Sequence, residues 1–179
     1  MAAEDIREEI KADPELGKIY EDARSALEAA GDSEALEEVR VAYLGRKGRL
    51  SVLLQGIKHL EPEEKRRVGR IGNLHKSWLE SSLDENSGRL GRREMEEALA
   101  DYRRALELKP GFADAHYNLA YTKHRMGATD EAREELGRTV ILHPAHRLAW
   151  QLKLTIHLER GEHGDAEACR AQLQKLGQP

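Results

Sequence analysis

The sequence predicts an all-α protein: an N-terminal antiparallel helical hairpin, or coiled-coil arm, followed by a short α-solenoid of about two and a half repeats. Three observations carry this. Charged residues make up 35% of the 179 and aromatic residues 4%, a composition that suits long, surface-rich helices and not a sandwich or barrel. In the segment after Pro62 apolar residues fall three and four apart, which gives that helix one buried stripe. In the second half, Pro, Gly, Ala and Leu recur 34 residues apart, and a fixed period of that length marks stacked helix-turn-helix units.

The first half reads as follows. Residues 14–30 and 33–44 form two helices separated by Gly31 and Asp32, with Asp32 or Ser33 as N-cap. A segment with two glycines and three cations, LGRKGRLS, comes next, then a short apolar stretch over 50–57. Pro62 opens another helix, with Glu63 and Glu64 in its first turn, where the helix dipole favours acids. Val68, Ile71, Leu74, Trp78 and Leu79 give that helix one apolar stripe. The basic segment thereby falls at the distal end of a hairpin. Residues 84–93, with Asp84, Asn86, Ser87 and Gly88, read as a turn-rich linker.

In the second half Pro110 and Pro144, Gly127 and Gly161, Ala115 and Ala149, and Ala132 and Ala166 are each 34 apart, as are Leu108, Leu142 and Leu176. The pattern resembles the tetratricopeptide repeat. Gly127 and Gly161 sit where a helix must turn back on itself, which needs a residue tolerant of positive φ. Ala120 and Ala132 are small where paired helices approach closely. Trp150 stands where the family usually has a large aromatic, and the preceding unit has His116 there. Lys153 departs from the usual core Leu, and the last helix is expected to be exposed. Residues 95–110 match a second helix of the repeat, with no clear first helix before them. Because isolated repeats do not bury their apolar faces, the N-terminal module or a second copy of the chain must cover the helix of Tyr102. The domain reading is therefore 1–83 arm, 84–93 linker and 94–179 repeats.

Charge is distributed unevenly. The net charge is −4, yet residues 1–39 hold 4 Lys and Arg against 13 Asp and Glu, residues 40–76 hold 10 against 3, and residues 77–179 hold 15 against 17. The middle block points to an anionic partner, or else to pairing with the acidic block along the hairpin. The single cysteine, Cys169, rules out an intrachain disulfide and suggests a reducing, cytoplasmic setting. The acidic first 11 residues lack a signal-peptide pattern, and no apolar run approaches the roughly 18 residues of a membrane span.

The runs VRVAYLGRKGRLSVLL and LEPEEKRRVGRIGNLHK, with YLGRKG at 43–48, PEEKR at 62–66, and Gly69 and Asn73, resemble the N-terminal arm of the phenylalanyl-tRNA synthetase alpha subunit. The resemblance implies a coiled hairpin that reaches to tRNA, with Arg46, Lys47 and Arg49 nearest the nucleic acid. Lys65, Arg66 and Arg67, with Arg70, extend the positive surface. Nothing after Leu83 resembles the strands, motif arginines or adenylate pocket of that family's catalytic domain, so aminoacylation is not implied. Only Tyr43 is interleaved with the cations, which argues against a base-stacking platform.

The tetratricopeptide resemblance implies that the first helices bind a peptide through Tyr117, Asn118, Tyr121, His124 and Gln151. The family's clamp for a C-terminal carboxylate is absent, since Tyr117, Tyr121, Leu148 and Leu152 occupy its positions. No Ser/His/Asp set, phosphate-cradling glycine loop or close carboxylate pair suggests an enzyme. His143 and His146 lack further ligands at metal spacing, and no metal or cofactor is expected. The reading is a non-enzymatic adaptor for a protein or peptide partner, whose basic arm either contacts RNA, with tRNA as the candidate, or docks structurally against the repeats, with no membrane, and self-association as a way to cover the first repeat. A tRNA-binding accessory module is the alternative, and a ligand-free scaffold, as in a chimaeric fusion, is the third.

Overall fold

A computed structural model describes Glu8, Ile10 and residues 13–177. Among these, all regular structure is helical. The helices are α1 (Pro14–Ala29), α2 (Ser33–Leu44), α3 (Arg49–Gly56), α4 (Pro62–Leu108), α5 (Ala113–Arg125), α6 (Thr129–Leu142), α7 (Arg147–Glu159) and α8 (His163–Leu176), with a 3-10 turn at Ile57–His59. The chain divides into two compact units, 1–91 and 92–179.

Local chemistry sets the starts of the first helices. The Asp13 carboxylate accepts from the Glu15 and Leu16 amides at 3.2 Å, ahead of Pro14 in the first turn of α1. Asp32 caps α2, accepting from the Ala35 amide at 2.8 Å. The 45–48 turn then reverses the chain in little space. A Cβ on Gly48 would stand 2.5 Å from the Tyr43 carbonyl carbon, so only glycine fits this close approach. The Ser51 hydroxyl donates to the Leu44 carbonyl at 3.1 Å and closes the same turn.

In the first unit, Leu16, Tyr20, Ala23 and Leu27 of α1 pack with Leu36, Val39 and Tyr43 of α2, Leu50 of α3, and Val68, Ile71, Leu79, Leu83 and Leu90 of α4. Burying one such aliphatic side chain contributes roughly 1.5–3 kcal/mol. In the second unit, Ala120, Ala132, Leu136, Ala149, Leu152 and Ile156 form the core. Ala120 and Ala132 are fully buried, so nothing larger fits between α5 and α6. Gly127 and Gly161 have φ of +84° and +71°, so the two turns that share the repeat spacing also share the left-handed conformation. Cys169 is buried beside the fully buried Ala166, and burial pushes its thiol pKa up; it behaves as a small packing residue.

The expected linker over 84–93 is helical, inside α4. Its turn-forming side chains bond within the helix: the Asn86 amide donates to the Ser82 carbonyl at 2.8 Å, and Arg89 donates to Asn86 at 2.9 Å. Leu83 and Leu90, two turns apart, are both buried. That apolar burial outweighs the weak helix propensity of Asp84, Ser87 and Gly88. The repeat portion thus consists of the last part of α4 followed by the pairs α5–α6 and α7–α8.

Candidate functional site

Two surfaces hold the candidate residues, one in each unit. On the arm, the structure separates the six cations into paired and unpaired groups. Arg49 donates to Asp22 at 2.7 Å and lies 5.5 Å from the centre of the Tyr43 ring. The Asp22 hydrogen bond, outweighing partial burial, raises the Arg49 pKa further. Arg67 pairs with the buried Asp13 at 3.0 Å. Arg40 approaches Asp84 at 3.8 Å. Part of the acidic block therefore neutralises part of the basic one, as charge alone allowed. Arg46, Lys47, Lys65 and Arg66 are exposed and form no ion pair with described residues. The Gln55 side chain donates to the Arg46 carbonyl at 3.5 Å, so the backbone of the turn is tied down while its two cations point outward in solvent. Such a surface suits phosphate contacts, which position a nucleic acid without reading its sequence.

On the repeat unit, Tyr117 and Tyr121 stack at 6.3 Å along α5, and the Tyr117 ring lies 4.8 Å from that of His146. Burial, then the neighbouring Tyr121, raises the Tyr117 pKa. Tyr121 is 46% exposed, an open aromatic face. Asn118 is half-buried, Gln151 of α7 is exposed, and His124 Nε2 lies 3.7 Å from Glu159. His146 Nδ1 accepts from the Ala149 amide at 3.2 Å, capping α7, and Nε2 faces Asp114 at 3.2 Å.

Sequence reasoning did not find the buried polar network next to this face. His116 and Trp150 occupy equivalent repeat positions and make equivalent bonds: His116 Nε2 lies 3.0 Å from the Pro110 carbonyl, and Trp150 Nε1 donates to the Pro144 carbonyl at 2.8 Å. His116 Nδ1 lies 2.7 Å from Glu135. A carbonyl and a carboxylate only accept, so the ring is the donor wherever it bonds to either. Arg138 at 3.1 Å and Lys123 at 3.5 Å complete the network. Burial works to raise the Glu135 pKa, but the His116 hydrogen bond and the Arg138 and Lys123 charges hold it below the usual value. The 34-residue spacing of the two prolines was the available signal; Glu135, 19 residues from His116, gave none.

A second cluster, His157, Glu162 and Asp165, places three ligand-type atoms within 4.8 Å of one another. Glu162 is already engaged by His157 at 2.6 Å, Arg160 at 2.9 Å and Arg133 at 3.4 Å, which satisfies its charge without an ion. Among the described residues, no helix is long and apolar enough to cross a membrane.

Comparison with known proteins finds two families along the chain. Residues 31–99 match the family described as aminoacyl tRNA synthetase class II, N-terminal domain, and residues 94–127 match a TPR repeat. The phenylalanine–tRNA ligase alpha subunit of Moorella thermoacetica is 45% identical over 84 residues, 47% of this chain and 25% of that protein. That of Persephonella marina is 32% identical over 110 residues, 62% of this chain and 30% of that protein. That of Syntrophotalea carbinolica is 36% identical over 119 residues, 66% of this chain and 32% of that protein. The chain thus spans a quarter to a third of the length of these curated relatives, and the matches cover only part of each. No solved structure matches the chain.

Proposed function

We propose that this chain, which joins a synthetase-type N-terminal arm to a tetratricopeptide unit, is a non-catalytic adaptor with two working surfaces. The repeat face of Tyr117, Asn118, Tyr121, His124 and Gln151 binds a polypeptide segment. The arm contacts RNA, with tRNA as the ligand its relatives suggest, through Arg46, Lys47, Lys65 and Arg66; Arg49 and Arg67 shape that surface through their ion pairs. One observation supports the reading above the others: a stacked tyrosine pair with the Tyr121 ring exposed, and an exposed turn whose Arg46 and Lys47 form no ion pair with described residues, occur in one chain, each where the corresponding family resemblance expects a ligand. The family match over 31–99 also favours a second reading, in which the arm carries the activity and the repeats only mediate assembly.

Affinity co-purification compares the two. The wild-type chain and the Arg46→Glu/Lys47→Glu variant should retain a common polypeptide that Tyr117→Ala/Tyr121→Ala loses at least tenfold, since buried aromatic anchors dominate such interfaces. Equal recovery on the tyrosine variant would reject the adaptor reading and leave the accessory one.

A further inference from the structure

The acidic first helix supplies a cation to the basic surface. Lys18 of α1 lines an open cleft of about 570 Å³ together with Lys47 of the turn and Arg49 at the start of α3. Ile19, Val52 and Leu53 form the apolar part of the wall, and Glu15 is the acid among the lining residues. Arg49 is held in place by Asp22 and the Tyr43 ring, so its guanidinium is positioned before any ligand arrives. Lys18 and Lys47 are exposed and form no ion pair with described residues.

We infer that this cleft is a phosphate-binding notch whose occupant is a backbone phosphate of a polynucleotide. The inference rests on the reading that the arm contacts RNA, and adds to it a site and a residue, Lys18. Two mobile ammonium groups converge on one cleft from chain positions 29 residues apart. Lysine acts there as a point charge that needs no fixed phosphate orientation. Glu15 opposes the bound charge and Asp22 offsets Arg49, so the notch holds a single free phosphate weakly. Its contribution becomes useful when neighbouring phosphates of the same strand reach Arg46 and the cations of α4, which is why a polynucleotide is the occupant.

The test is fluorescence anisotropy of labelled tRNA with the full chain at about 50 and about 200 mM salt, using wild type, Lys18→Gln, Lys47→Gln and Glu15→Gln. Inorganic pyrophosphate and ATP serve as competitors. Each lysine removed should lower the slope of log affinity against log salt by about one, so that the affinity lost across this salt range shrinks about fourfold per lysine. Glu15→Gln should tighten binding at low salt, and millimolar pyrophosphate or ATP should leave it unchanged. If tRNA binds but Lys18→Gln keeps the wild-type slope, the notch is wrong and the RNA reading survives. Absence of tRNA binding at low salt overturns both. Pyrophosphate or ATP binding that Lys18→Gln abolishes, with tRNA binding unaffected, would replace the polynucleotide with a small phosphate ligand.

Discussion

Glu135→Leu is expected to destabilise the repeat unit by about 3–5 kcal/mol, the usual consequence of removing one partner from a buried charged network. Glu135 is 5% exposed and His116 is 7% exposed, so water does not replace the lost carboxylate. The substitution leaves His116 Nδ1 without an acceptor and removes one of the two carboxylates near Lys123, which retains Glu131 at 3.2 Å. The repeat geometry specifies the rescue. At the equivalent position Trp150 donates to Pro144, so a tryptophan at 116 is expected to donate to Pro110 in the same manner. His116→Trp/Glu135→Leu should therefore recover most of the loss, because replacing both partners of a buried hydrogen bond by groups that leave no polar atom unpaired is often nearly neutral. Urea unfolding followed by tryptophan fluorescence, run as a double-mutant cycle, measures both quantities. A loss under about 1 kcal/mol in the single variant, or no recovery in the double, contradicts the network's role.

The second large effect is in the arm and depends on pH. His75 is fully buried on α4, between Tyr20 at 5.6 Å and Trp78 at 5.6 Å, and among the described residues neither ring nitrogen has a hydrogen-bond partner. Desolvation pushes its pKa down to about 4, so the native ring is neutral. The unfolded chain binds a proton below its ordinary value of 6.5, while the native arm does not until about 4. Stability contributed by the neutral ring is thus complete above pH 6.5 and is lost as pH falls toward 4. Between pH 7 and pH 5 the loss is about 2 kcal/mol. His75→Leu should remove that part of the acid sensitivity. Urea titrations at both pH values, reading Trp78 fluorescence in a Trp150→Phe background, would show it. An unchanged pH 5 loss in His75→Leu would mean that other groups carry the acid response.

The repeat was legible because its determinants are local and periodic. Gly127 and Gly161 must turn left-handed, and Ala120, Ala132 and Ala166 must be small, whatever surrounds them. The capping of α2 by Asp32 and the start of α4 at Pro62 followed from side chains adjacent in sequence. Non-local pairings were not legible. Propensity at Asp84, Asn86, Ser87 and Gly88 suggested a linker, but Leu83 and Leu90 bury on the arm core and keep the helix intact. The cationic turn was found from composition, yet its division depended on Asp22 and Asp13, which lie far upstream of Arg49 and Arg67. Lys18 was hidden for the same reason, inside a block whose net charge is acidic.

Both functional readings require that the arm bind RNA independently of the repeat face. Anisotropy of labelled tRNA should show binding by the wild-type chain that falls steeply from about 50 to about 200 mM salt. Arg46→Glu/Lys47→Glu should abolish it, and Tyr117→Ala/Tyr121→Ala should leave it intact. Binding that ignores salt and the arm variant, or that disappears with the tyrosine pair, would contradict the account.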